Sequence, residues 1–176
     1  MHIIEIISGI IDEVKADLLN AGQAEATANL YNFPNDAPYF DYGSWIEIDK
    51  NLIEKGKSNT YKSQRFPLIF LRLPVTVEKN VTTGSKYYRL NSLELYFFVE
   101  TDEKKSTQWR NDNKKPTLIA LTDAFLYRLK KHSEYELIIQ ETYIPYMEGT
   151  AFALSTPVDC MKITITDLTI TELCLT

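Results

Sequence analysis

A polar, basic lead-in, Lys57 to Gln64, ends at Arg65-Phe66-Pro67, and an apolar run, Leu68-Ile69-Phe70-Leu71, begins at the next residue. Proline has no N–H to give to a ladder, so in sheets it sits where that loss does least harm, at the first residue of a strand. The run therefore predicts a strand that enters its sheet here. The strand is expected to span Phe66 to Lys79, bent at Pro74. Asn80 to Ser85, with Thr82-Thr83-Gly84-Ser85, reads as a turn. Tyr87 to Glu100 returns, and its centre, Leu93 to Val99, is rich in the aromatic and branched residues that suit strands. Two such segments across a short turn predict an antiparallel hairpin.

Helical periodicity brackets this hairpin. Ile3, Ile7, Ile10, Val14 and Leu18 recur at intervals of three and four, a stripe wide enough to lie on a sheet. Gly22 suits a helix stop, and Gln23 to Leu30 either extends the helix or forms a loop. Gly9 weakens this helix, which predicts close packing there. After the hairpin, Pro116 suits the first turn of a second helix. Leu118, Leu121, Phe125 and Leu129 form its inward stripe, and Arg128, Lys130 and Lys131 favour the negative end of its dipole. Tyr135 to Tyr146 and Val158 to Leu175 read as two further strands around a loop, Met147 to Thr156. In the last strand Met161, Ile163 and Ile165 share one phase and Leu168 and Ile170 the other, which predicts a bulge at Asp167-Leu168. Thr164, Thr166, Thr169 and Thr171 leave it neutral and β-prone, a hazard at a sheet edge that a central position, or pairing with another chain, would remove.

Two segments lack periodicity. Residues 31–45 carry two prolines, a glycine and a cluster of aromatics, and read as an irregular arm, either covering one end of the core or docking on a neighbour. Trp45 to Ile48 alternates and predicts a short strand, with Asp49 to Gly56 a turn or brief helix. Residues 101–115 read as a polar loop in which Lys104, Lys105, Arg110, Lys114 and Lys115 surround Trp109. Basic residues around an aromatic suit a single-stranded nucleic acid, but Asp102, Glu103 and Asp112 dilute the charge, so a solvated loop with one buried ring is the first reading, a protein contact the second and nucleic acid the third. The element order predicts one α+β domain over residues 1–176. Its antiparallel sheet carries the N-terminal helix and a second helix on one face.

The chemistry-bearing residues are sparse. No G-x-S-x-G and no Walker spacing occurs. Cys160, Cys174, His2 and His132 are scattered, so neither a disulfide framework, a metal site nor a Cys–His nucleophile is expected. Asp12-Glu13 and Asp102-Glu103 read as solvated pairs. No catalytic group and no cofactor is predicted. A net charge of −5 argues against a protein that grips phosphates. The apolar N-terminus lacks a basic lead and carries Glu5, Asp12 and Glu13, unlike a signal peptide. No run of about 18 apolar residues is present, so no membrane span and synthesis in the cytoplasm are expected.

Five stretches carry a resemblance: Tyr42 to Ile48, Lys57 to Leu71, Leu95 to Asp102, Trp109 to Leu129 and Val158 to Ile170. In this order they resemble a family of small proteins encoded in tailed phages and prophages, and the order of elements is similar to tail terminator and neck-ring proteins. The resemblance spans most of residues 40–175. The chain departs from the family pattern at Ser44-Trp45 and in the Met147–Thr156 loop. The resemblance implies a structural virion protein without catalysis that forms a ring, commonly a hexamer. Such a ring caps the tail tube, joins it to the head, and lets DNA pass through its lumen. The tail tube and head-neck proteins are then its partners, and the virion tail or neck its location. The candidate interface residues are Tyr39, Phe40, Tyr42 and Trp45 in the arm and Lys104, Lys105, Trp109 and Arg110 in the loop. The alternative is a small binding module for protein or nucleic acid, working through Trp109 and its lysines.

Overall fold

The computed structural model describes residues 3–21, 37–82, 85–133, 137–145 and 154–171. The expectations for Gly22, for 23–36 and for 146–153, as well as His2 and Cys174, lie outside the described residues. The elements in chain order are α1 (Ile3–Ala21), β1 (Tyr39–Gly43), α2 (Trp45–Lys57), β2 (Leu68–Arg72), β3 (Val77–Thr82), β4 (Ser85–Glu100), α3 (Thr107–Asn113), α4 (Lys115–His132), β5 (Ile138–Ile144) and β6 (Val158–Thr171). The six strands form one sheet in the order β1-β2-β4-β6-β5, with β3 paired to the first half of β4.

The domain is α+β, and α1 and α4 share one face of the sheet as expected. The sheet is mixed, however. β1 runs parallel to β2, and the other pairs are antiparallel. The parallel pair exists because α2 carries the chain from β1 back to the start of β2, as a parallel connection requires. That helix covers the other face, so the central strands are buried on both sides. This explains the opening feature of the sequence. Leu68, Ile69, Phe70 and Leu71 are all fully buried, because Ile69 and Leu71 face α1 and α4 while Leu68 and Phe70 face α2. Leu93, Leu95, Phe97 and Val99 of β4 face the first core, and Tyr96 and Phe98 the second.

Three expectations are corrected. Residues 66–79 are not one strand: the ladder of β2 stops at Arg72 and that of β3 starts at Val77, with Leu73 to Thr76 outside both. Trp45 to Ile48 is not a strand but the first turn of α2. There Ser44 accepts from the Glu47 amide while the Glu47 carboxylate accepts from the Ser44 amide, a reciprocal cap. Gly9 meets no close neighbour. Among the described residues, a Cβ placed on it would find nothing within 4 Å, so the predicted close packing is absent there.

The expected phase change in β6 occurs, in a different form. Asp167 takes a positive φ of 55°, which an Asp tolerates better than most residues. Yet the register of β4 with β6 is the same on both sides, with Leu90 opposite Leu168 and Ser92 opposite Thr166. Both strands change phase together, at Asn91 and Asp167, so buried Leu90 and Leu168 rejoin the α1/α4 core without a one-sided bulge. β6 lies between β4 and β5, which removes the aggregation hazard of its threonines.

Candidate functional site

The residues proposed for the arm divide between core and surface. Trp45 is half-buried and packs on Phe70, Tyr96 and Phe98, with ring centroids 5.4, 4.7 and 6.4 Å away. Tyr39 packs on the same cluster and Phe40 on the opposite one. These three rings hold the sheet edge together. Tyr42 alone among the four is exposed, at 47 %. Residues 39–43 are a regular edge strand, not an irregular arm. The sequence reading missed Ile46, which stands 81 % exposed at the second position of α2. The signal for it was available: Ser44 and Glu47 at capping spacing put Ile46 on the first turn, away from the face defined by Ile48 and Leu52.

The outer edge of β1 is guarded. The Asp41 carboxylate accepts from the Tyr42 amide at 2.9 Å and from Asn51 Nδ2 of α2 at 3.0 Å. A side chain laid over an outward amide blocks the addition of another strand there. Beside it lies a shallow cavity lined by Asp41, Tyr42, Glu47, Lys50, Asn51 and Glu54, three carboxylates against one amine. This edge is thus acidic, with Tyr42 and Ile46 as its apolar contacts. Gly43 is required here: its φ is 138°, and a Cβ would lie 2.6 Å from Glu47 Oε2.

The polar loop also holds regular structure. Ser106 caps α3 by accepting from the Trp109 amide at 3.2 Å. Arg110 is corrected as a surface contact. It is only 6 % exposed, and its Nη2 donates to the carbonyls of Asp102 and Glu103 at 3.3 and 3.1 Å, closing the loop on itself. Lys104 and Lys105 are exposed. Lys105 and Lys114 place their Nζ atoms 5.4 and 5.8 Å from the Trp109 ring centroid, so two cations lie within reach of the half-buried indole. Lys115 sits over Tyr143 of β5 at 5.3 Å. Of the acids that dilute this patch, Asp102 accepts from the Lys104 amide and Asp112 from Gln108. The two groups singled out in the sequence therefore end at opposite edges of one sheet, an acidic one at β1 and a lysine-rich one at β5.

Titratable groups elsewhere are tied into the fold. Arg128 of α4 holds Asp17 of α1 through two nitrogens and reaches Glu13 at 3.3 Å, and His132 meets Glu13 at 2.9 Å. The hydrogen bond from Arg128 keeps the Asp17 carboxyl below its usual range. Cys160 is fully buried in the α2 core, and burial pushes its thiol well up. His132 and Cys160 lie on opposite faces of the sheet, so they form no catalytic pair. Burial, aided by the charge of Asp159, raises the Tyr143 hydroxyl to about 12. Among the described residues no group of three His, Cys, Asp or Glu could hold a metal ion, and no helix is long and apolar enough to cross a membrane.

Compared with protein-family models and with curated protein sequences, the chain matches none.

Proposed function

We infer that this chain is a structural, non-catalytic subunit that joins copies of itself head to tail into a ring, as the tail terminator and neck-ring proteins of tailed phages do. One observation carries the reading: its two candidate contact groups differ in charge and are anchored at opposite edges of a single sheet, the second through Lys115 on Tyr143 of β5. A ring needs such a heterologous contact, in which one patch of each subunit meets a different patch of the next. Tyr42, Ile46, Glu47 and Glu54 supply one patch, and Lys105, Trp109, Lys114 and Lys115 the other. The ring would meet the tail tube and the head-neck proteins at its two rims, and DNA would pass its lumen unheld, consistent with a net charge of −5. Its location would be the virion tail or neck.

Sedimentation at increasing concentration, with electron microscopy of the heaviest species and of virions, tests this. Closed rings of one size, and the protein in particles, are expected. A monomer at every concentration, absent from particles, contradicts it.

A second reading has its own observation, two lysines within 6 Å of the Trp109 ring. A binding module of that kind would show a salt-sensitive change of tryptophan fluorescence on titration with a single-stranded oligonucleotide. An unchanged signal removes it.

A further inference from the structure

Between Glu54 and Glu78 the chain has no acid, but it has Lys55, Lys57, Lys62, Arg65 and Arg72. Within that stretch Lys57 to Arg65 reads KSNTYKSQR, and each of its nine side chains carries a hydrogen-bond donor. The segment is a folded turn. Ser58 Oγ accepts from the Thr60 and Tyr61 amides at 3.3 and 3.2 Å, and the Lys62 amide donates to the Ser58 carbonyl at 3.1 Å. This last bond doubles the chain back, so Lys57 and Lys62 stand on one turn. Tyr61, next to Lys62, is 54 % exposed.

Arg65 fastens the turn to the sheet. Its Nη2 donates to Glu100 at 2.8 Å and its Nε to the Lys62 carbonyl at 3.4 Å. Leu68 of β2 lies opposite Phe98 of β4, so β2 begins at the end of the sheet where β4 finishes. The turn therefore shares that end with the loop after Glu100, on which Lys104 is exposed. Residues 55–65 and 100–115 together hold nine lysines and arginines and four acids, in a chain whose net charge is −5. Arg65 is matched by Glu100, and Arg110 is buried. Lys57, Lys62 and Lys104 are exposed, and none of them forms an ion pair with another described residue. The negative end of the α2 dipole suits Lys55 and Lys57. It leaves Lys62, the exposed ring and the absence of acids unaccounted for.

The residue types choose the partner. Protein interfaces are poor in lysine and serine and have an apolar centre, which this turn lacks. Phosphate backbones are held by lysine and arginine and by the polar side chains that fill the turn. A single strand is held by several rings on which its bases stack, and the turn has one. We propose that the turn Lys57 to Arg65, with Lys104 at the same end of the sheet, contacts the phosphate backbone of double-stranded DNA without reading its sequence. None of these residues belongs to the two patches assigned to the subunit contact, so the DNA contact does not depend on ring closure. The acidity of the rest of the chain keeps it weak, so that DNA is touched and not clamped.

The test uses the whole chain and three probes: a fluorescein-labelled mixed-sequence duplex, one of its strands alone, and polyglutamate of equal charge as competitor. Fluorescence anisotropy should show the duplex bound more tightly than the strand, and polyglutamate should not displace it. Binding should weaken between about 50 and 200 mM salt with a logarithmic slope of roughly −3, one phosphate for each of three lysines. Lys57→Gln with Lys62→Gln should weaken duplex binding at least about tenfold at the lower salt and bring the slope to about −1. Lys130→Gln with Lys131→Gln makes the same charge change at the end of α4, beside the start of β5 and so at the other end of the sheet. That variant should bind within about twofold of the parent. No binding of the duplex, an equal effect of the two double variants, a strand bound more tightly than the duplex, or displacement by polyglutamate overturns the proposal. The comparison of probes on the unaltered chain decides the matter even if a variant folds poorly. Ring closure is read separately by sedimentation, so the two proposals fail independently.

Discussion

Lys115 stands over the ring of Tyr143, its Nζ 5.3 Å from the centroid. This contact ties the start of α4 to the edge strand β5, and with it the lysines and the indole of α3. A loop that reads as free in the sequence is thereby tied, at its end, to the edge of the sheet opposite β1.

Gly9 lies in the middle of α1 with nothing within 4 Å of the Cβ it lacks. Gly9→Ala is expected to stabilise the protein by about 1 kcal/mol, because alanine has the higher helix propensity and loses less backbone freedom. For a chain of this size the thermal midpoint should rise by roughly 2–4 °C. A drop in the midpoint would show that α1 packs more closely there than described.

The cap of α2 is expected to matter in proportion to its hydrogen bonds. Ser44→Ala removes the acceptor for the Glu47 amide and the hydroxyl that donates to its carboxylate, and keeps the bond from the Ser44 amide. Denaturant unfolding should show a loss of about 1 kcal/mol, the usual cost of deleting a hydroxyl cap. Ser44→Asp keeps an acceptor and should recover most of it.

At Ser44 and Glu47 the structure also departs from the sequence expectation. Alternation over Trp45 to Ile48 suggested a strand, but four residues cannot separate period 2 from the first turn of a helix. The cap was the stronger signal. Elements with long periodic stripes, α1 and α4, were legible, as were the strands around Leu93 and Ile163. The parallel β1–β2 pair was not, because it depends on recognising α2 as the crossover. At the candidate site, composition marked Trp109 and its lysines. It could not show that Arg110 turns inward, since a buried guanidinium and an exposed one have the same letter. The break between β2 and β3 is equally hidden: Pro74, expected as a bend within one strand, stands between the ends of two.

Glu94 gives the acid dependence a definite sign. Burial pushes its carboxyl up, but the hydrogen bonds from Lys162 and Arg72 outweigh this and hold it below the ordinary value of 4.5. A carboxylate with a lowered folded pKa contributes stability that is present above the unfolded value and is lost as pH falls through the folded one. Glu94→Gln, which leaves Arg72 and Lys162 without their counter-charge, should be less stable than the parent at pH 7. The difference should narrow as the pH is lowered below about 4.5 toward 3. A constant difference across that window would mean that the ion pairs contribute nothing.

Cys160 is expected to be chemically silent in the folded state. It is wholly buried between the sheet and α2, and burial raises its thiol, so thiolate is scarce. In a Cys174→Ser background, an aromatic disulfide reagent should react only as fast as the protein unfolds, and denaturant should release one thiol at once. Rapid reaction under native conditions would place Cys160 at the surface.

Sedimentation of two reversed-charge variants, alone and mixed, tests the head-to-tail contact most directly. Lys114→Glu with Lys115→Glu makes the β5 edge acidic like the β1 edge. Ile46→Lys with Glu54→Lys does the converse at β1, and none of the four residues belongs to the buried core. Each variant alone should stay monomeric, because like charges then meet at every contact. Their equimolar mixture should assemble, since each variant's altered edge matches the altered edge of the other and the native edges match as well. Assembly of either variant alone, or no assembly on mixing when the parent protein forms rings, would contradict it.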